Sequence, residues 1–293
     1  MGDGTMNPDI SKVFGTMFDM LRRRFGLMLG LYAVFFAISM VYSMLVGGVL
    51  GVSTLAAAGT AGAENPFAMG FGFIFGMLVF YLGFFVISFA QSLSLNAMAT
   101  PLREPSFGEA FGDGWRGVPA MFGIMILLVI AYFVVALVFA LVAGVMAAVS
   151  DTLAGLAIGL LVLLLIPAIV YLGCRLSVLS PVVAVDKVYN PVTAIQRTWE
   201  LTRGKVLGIF VIMLVFWLVA AVIFGLLFVM FFGSIFAAAS TGGEAPAIGG
   251  MIVGLILFAI IGLLFAIVSA ALISSLHGEL VGPVSGDLQN TFE

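Results

Sequence analysis

The chain carries few groups that could do chemistry. It has one histidine, His277, and one cysteine, Cys174. A single cysteine excludes an intrachain disulfide and a Cys-based metal site, and a single histidine excludes a His-pair metal site within one chain. His277 has Glu279 beside it but no nucleophile arranged around it, so it is a poor general base. The remaining polar residues gather near the ends of apolar stretches. One group is Ser88, Gln91, Ser92, Ser94 and Asn96, a second is Arg175, Ser177 and Ser180, and a third is Ser269, Ser274, Ser275 and His277. Ser88, Gln91 and Ser92 share one helical face. If the three groups converge they form a polar vestibule with Arg175 as its cation, and a guanidinium pairs readily with phosphate. Arg175, Ser177, Gln91, Asn96 and His277 are then candidate lipid-headgroup residues. The plainer reading is that span ends meet water and are polar for that reason. The run Arg22-Arg23-Arg24 is a topology anchor and a candidate site of attraction to anionic lipid, where each charge contributes about 1 kcal/mol.

What must position these residues is a set of membrane spans. Of 293 residues, 63% are hydrophobic and 9% are charged, and the mean hydropathy is +1.29. An average soluble domain is roughly 45–50% apolar and about 25% charged. So few charges cannot cover a soluble surface, which excludes a soluble enzyme, a nucleic-acid binder and a disordered chain. Apolar stretches cover 25–52, 67–97, 118–149, 152–180, 205–239 and 247–276. Each exceeds the ~20 residues that cross ~30 Å of hydrocarbon. None alternates as a membrane β-strand would, so an all-α, six-span protein is expected. Pro167 marks a kink site in the fourth span. The first stretch is too long for a signal-peptide core and is expected to be retained.

Charge sets the orientation. The segments 53–66, 150–151 and 240–246 carry Glu64, Asp151 and Glu244 and no basic residue, so all eleven Lys and Arg fall on the other side. By the positive-inside rule both termini are expected to be cytoplasmic. The third cytoplasmic loop is basic and the tail 277–293 is acidic, so the two could meet.

Each pair of spans follows a segment with helical periodicity. In the first, Ile10, Val13, Phe14, Met17, Phe18 and Leu21 share a face behind Asn7-Pro8. In the second, Phe107, Ala110, Phe111 and Trp115 follow Pro105-Ser106. In the third, Ile195, Trp199, Thr202 and Val206 follow Asn190-Pro191. Proline in the first helical turn costs no hydrogen bond. Such segments are expected as cytoplasmic interfacial helices. The chain then reads as a single membrane domain, 1–293, of three parallel hairpins at about 7–97, 105–180 and 190–276. The glycine pairs Gly26/Gly30, Gly47/Gly51, Gly72/Gly76, Gly155/Gly159, Gly204/Gly208 and Gly250/Gly254 fit close helix contacts, within one bundle or between two copies.

The segment Ser180-Pro181-Val182-Val183-Ala184-Val185-Asp186, followed by Asn190-Pro191 and Ala194-Ile195-Gln196-Arg197-Thr198-Trp199-Glu200-Leu201-Thr202-Arg203-Gly204, resembles the membrane domain attached to some bacterial glycerophosphoryl diester phosphodiesterases. It is similar to the stand-alone relatives that lack the catalytic barrel. The resemblance implies a six-span membrane part and no phosphodiesterase activity, because that chemistry uses a histidine pair and a metal in a soluble barrel. The expected function is non-catalytic: a membrane scaffold or lipid-associated factor in envelope organisation. The alternatives are a transporter or flippase of a lipid or small amphiphile, and a membrane partner of a separate lipid-metabolising enzyme. No cofactor, metal or nucleic acid is expected. The expected partners are membrane lipids, anionic phospholipid among them, and a second copy or another membrane protein.

Overall fold

The computed structural model describes residues 8–60, 66–241 and 244–282, and these are helical with no strand among them. The elements are α1 (Ile10–Thr60), α2 (Pro66–Met98), α3 (Phe107–Ala147), α4 (Asp151–Arg175), α5 (Leu179–Ala184), α6 (Pro191–Thr202), α7 (Val206–Thr241) and α8 (Glu244–Val281). Six stretches are long and apolar enough to cross a membrane: Ile10–Gly51, Phe73–Met98, Phe107–Ala147, Asp151–Ala184, Val206–Gly233 and Ile252–Val281. The chain is a multi-pass, all-α membrane protein. Within each hairpin, α1 and α2, α3 and α4, and α7 and α8 pack on each other. The spans follow one another around the bundle in chain order, α8 closes on α1, and the contact between α4 and α7 is the narrowest. α4 continues through Pro167 without a break.

Helix starts are set by local chemistry. Asp9 accepts the Lys12 N–H (3.3 Å) at the head of α1. Ser106 and Glu109 form a reciprocal capping box on α3. Asn190 Oδ1 accepts from the Val192 and Thr193 N–H groups, and Pro191 fills the first turn of α6.

The expectation of a separate helix before each hairpin is corrected in two of three cases. α1 runs unbroken from Ile10 and α3 from Phe107. Arg22-Arg23-Arg24 are good helix formers and give the backbone no reason to stop. Only α6 is separate, because Gly204 takes a left-handed conformation (φ +76°) that ends it before α7. The start of α1 nonetheless crosses the bundle. Lys12 Nζ meets Glu279 near the end of α8 (2.6 Å), while Arg24 reaches the end of α2. Those two ends are level, since Ser274 bonds Asn96 and Gly278 abuts Pro101. The expected meeting of the acidic tail with the basic third loop is replaced for Glu279 by this Lys12 pair; Asp287 and Glu293 lie outside the described residues.

The core sits at one end of the bundle. Its centre is α5, whose Leu179, Val182, Val183 and Ala184 are buried among α2, α3, α6 and α8. Around it lie Met28, Leu31 and Phe35 of α1, Leu93 and Met98 of α2, and Leu272 and Leu276 of α8. We call this end, which carries the basic residues, the basic face. Toward the opposite face the spans expose large apolar side chains such as Leu45, Ile74, Phe133, Leu163 and Val229, as lipid-facing helices do.

Two of the glycine pairs read from spacing hold a close contact, since a Cβ at Gly76 would strike Leu50 of α1 and one at Gly254 would strike Phe231 of α7. A Cβ at Gly26, Gly51, Gly155 or Gly159 would meet nothing within 4 Å. Another tight crossing is where α3 lies on α2: a Cβ at Gly114 would strike the Ser94 hydroxyl and the Ala90 carbonyl, and one at Gly117 would strike Leu93 and Val183. Gly114→Ala is therefore expected to lower the thermal midpoint in detergent by the equivalent of about 1–3 kcal/mol of overpacking. Gly112→Ala, with nothing within 4 Å, is expected to be neutral or to stabilise by up to about 1 kcal/mol through helix propensity. Equal midpoints for the two variants would contradict this packing.

Candidate functional site

The basic face is organised by three arginines that act in the same way. Arg24 belongs to the inward stripe of α1, between Met20 and Met28, and its side chain is nearly buried. Its Nη1 donates to the Met98 carbonyl at the end of α2 (3.1 Å) and to the Arg103 carbonyl (3.2 Å), and its Nη2 pairs with Glu104 (3.2 Å). Arg103 Nη2 donates to the Ala184 carbonyl, the last of α5, at 3.2 Å. Arg175 Nη1 donates to the Trp199 carbonyl in the last turn of α6 at 3.0 Å. The last carbonyls of a helix have no intrahelical partner and form the negative end of its dipole. A guanidinium offers several donors and full charge, so it satisfies both needs.

Arg175 is the most enclosed of the three at 8% exposure. Its Nε and Nη2 donate to the Tyr171 hydroxyl (3.0 and 2.9 Å), and its guanidinium lies 4.5 Å from the Trp199 ring centre. Thr202 Oγ1 donates back to the Arg175 carbonyl at 3.3 Å, which ties α6 to α4. Among the described residues Arg175 has no carboxylate partner, and Asp186 is engaged elsewhere. The cation is held by a phenol, a carbonyl and an indole face.

Asp113 is the buried anion of this layer. Its side chain is 3% exposed, and it pairs with Arg103 at 2.7 Å and with Lys187 at 3.5 Å. The Lys187 backbone is left-handed (φ 56°), a costly conformation for a residue with a Cβ. That turn lets two neighbouring residues point to different partners. Lys187 reaches Asp113, while Asp186 Oδ2 faces His277 Nε2 at 3.3 Å and Arg197 at 3.8 Å. Sequence reasoning did not single out Asp113 as a site residue. A signal was available, since it shares the small-residue face of α3 with Ala110, Gly114 and Gly117, the face that is buried.

The ends of α2 and α8 converge as expected, but they form a packed layer instead of an open vestibule. Ser274 Oγ donates to the Asn96 carbonyl (3.0 Å) and lies 3.1 Å from Asn96 Oδ1. Asn96 Nδ2 donates to the Ser92 carbonyl at 2.8 Å. Ser94, Asn96, Ser274, Ser275 and His277 are all buried. Helical carbonyls supply acceptors for Asn96 and Ser274. Ser94 Oγ, Ser275 Oγ and His277 Nδ1 are buried without a hydrogen-bond partner among the described residues. Gln91 is half-buried on α2. Ser177 lies apart from Asn96 and His277: its hydroxyl donates to the Cys174 carbonyl (2.9 Å), and it lines a cleft of about 510 Å³ between α4, α7 and α8 with Val170, Phe210, Trp217 and Ser269.

The run Arg22-Arg23-Arg24 is divided by helical phase. Arg24 turns inward as described. Arg23 pairs with Asp19 one turn earlier (3.1 Å), and Arg22 is exposed with no carboxylate partner among the described residues. No group of three or more His, Cys, Asp or Glu side chains comes together among the described residues. In comparison with known proteins, no family model, no curated protein and no solved structure matches the chain.

The Arg103–Asp113 pair makes a quantitative expectation. Removing one partner of a buried pair leaves an uncompensated charge and costs about 3–5 kcal/mol. Arg103→Gln should approach that loss, whereas Lys187→Gln, at a half-exposed side chain 3.5 Å away, should cost under about 1 kcal/mol. In a double-mutant cycle Arg103→Gln and Asp113→Asn should couple by more than about 1 kcal/mol. Additive effects would mean that the pair contributes nothing of its own.

Proposed function

We propose that this chain is a non-catalytic scaffold or lipid-associated factor of the bacterial inner membrane, with both termini and the basic face in the cytoplasm. The observation that carries the reading is the distribution of packing. The ion pairs and the buried polar side chains lie in one layer at the basic face, where the ends of α2, α4, α5, α6 and α8 are fastened together. The spans beyond that layer offer wide apolar surface to lipid. A bonded polar layer at one end of hydrophobic helices suits holding a position in a membrane and contacting lipids or other membrane proteins. The similarity to the membrane domain of glycerophosphoryl diester phosphodiesterases agrees with a role beside lipid-metabolising enzymes. A second reading, transport or flipping of a lipid, is favoured by the cleft where α4 and α7 barely touch.

Two experiments test these readings. In proteoliposomes, the scaffold reading expects fluorescent phospholipid to cross no faster than in empty vesicles; protein-dependent scrambling would replace it with the flippase. For orientation, single cysteines are placed in a Cys174→Ser background and exposed to an impermeant thiol reagent in intact cells. Thr60→Cys and Thr241→Cys are expected to react from outside, while Glu104→Cys and Tyr189→Cys react only after lysis. The opposite pattern would invert the topology.

A further inference from the structure

The division of the arginine triplet leaves one cation for an external partner, and its surroundings indicate which. Arg22 stands one turn beyond Phe18, on the same side of α1. Phe14, Phe18 and Leu21 line a cleft of about 360 Å³ whose other walls include Val219 and Ile223 of α7 and Leu264 of α8. Every residue lining it is apolar. Its size falls within the roughly 300–1,000 Å³ of ligand pockets. Water in such a cleft would find no polar partner, and α7 and α8 form its walls within their spans. A cleft of this lining at that depth suits hydrocarbon. One turn from Phe18, a lining residue, stands the exposed Arg22, whose guanidinium no carboxylate neutralises among the described residues.

We propose that this cleft seats an acyl chain of one anionic phospholipid from the leaflet at the basic face, and that Arg22 holds its phosphate. The proposal rests on the reading of the chain as a lipid-associated membrane protein and names the lipid class and the site. The guanidinium fork matches two phosphate oxygens, and the roof of Phe14, Phe18 and Leu21 covers the chain below. Arg24 caps α2 and Arg23 already has Asp19 beside it, so Arg22 is the one of the three without a carboxylate partner or a carbonyl to cap among the described residues.

The test uses the full chain, delipidated in nonionic detergent, with its thermal midpoint titrated by dioleoyl phosphatidylglycerol, dioleoyl phosphatidylcholine or inorganic phosphate. Phosphatidylglycerol is expected to raise the wild-type midpoint saturably. Arg22→Gln should weaken its apparent affinity about fivefold, which corresponds to about 1 kcal/mol for one interfacial cation. Arg23→Gln should change it less than twofold. Val219→Trp, which fills the cleft from an exposed position, should weaken both phospholipids alike. Equal losses in Arg22→Gln and Arg23→Gln, an unchanged titration in Val219→Trp, or full stabilisation by inorganic phosphate alone would each overturn the proposal. If phospholipid copurifies with the wild type and with all three variants equally, this site falls while the lipid-associated reading stands. If no phospholipid copurifies with or stabilises the wild type, both fall.

Discussion

Everything at the basic face depends on a guanidinium resting on the carbonyl end of a helix. A helix that stops in or near a membrane leaves carbonyls that neither water nor a further turn can satisfy. Here α2, α5 and α6 all stop in the same layer, and each is met by an arginine from another element: Arg24 for α2, Arg103 for α5 and Arg175 for α6. Each bond joins residues distant in sequence, so the contact that neutralises a helix end also fixes where that end sits. α1 is held to α2, the loop before α3 to α5, and α4 to α6. The narrow contact between α4 and α7 is bridged in this way, because α4 is tied through Arg175 to α6, which leads into α7.

That constraint explains the one-sided core. In water, burial of apolar area would drive the helices together along their whole length, but lipid tails are as apolar as leucine and give no such drive. What remains is close packing at small residues and polar bonding. Close packing occurs where Gly114 and Gly117 let α3 settle on α2, and polar bonding occurs where Ser274 reaches Asn96 and Asp186 reaches His277. Both lie at the basic face. Buried Asp113 belongs to the same economy, since its two cations, Arg103 and Lys187, come from the segments before α3 and after α5. One carboxylate thereby links three parts of the chain.

Much of the architecture is legible in the sequence because hydrocarbon imposes length and composition on every span. The six spans and the all-α class follow from that alone. The helix starts at Ser106 and Asn190-Pro191 are equally readable, since capping is local chemistry. Three features are not readable in this way. The continuity of α1 through Arg24 is unmarked, since three arginines look alike whether they end a helix or continue one. The short helix α5 is hidden in Ser180-Pro181-Val182-Val183, a run that spacing reads as the exit from a span. The closure of the polar ends into a packed layer depends on which carbonyls lie opposite Ser274 and His277, and periodicity within one helix does not report on another. The close contacts at Gly114 and Gly117 were obscured for a related reason. Glycine spacing occurs by chance in a chain with 36 glycines, and only the facing surface selects the ones that matter.

The charge asymmetry that orients the chain conceals two populations of cations. Lys12, Arg23, Arg24, Arg103, Lys187 and Arg197 have carboxylate partners, and Arg175 lies against Trp199 and Tyr171. Arg22, Arg116, Arg203 and Lys205 have no carboxylate partner among the described residues. A rule that counts basic residues treats all eleven alike. Only the second population keeps its charge available to a leaflet once the chain is folded, and its members lie at three places: the crossing of α1, the first turns of α3 and the α6–α7 turn. The phase of the helix makes this sorting unavoidable. Consecutive residues turn by about 100°, so a run of three arginines must send its members in three directions. In this run one faces a helix end, one faces its own preceding turn, and one is exposed.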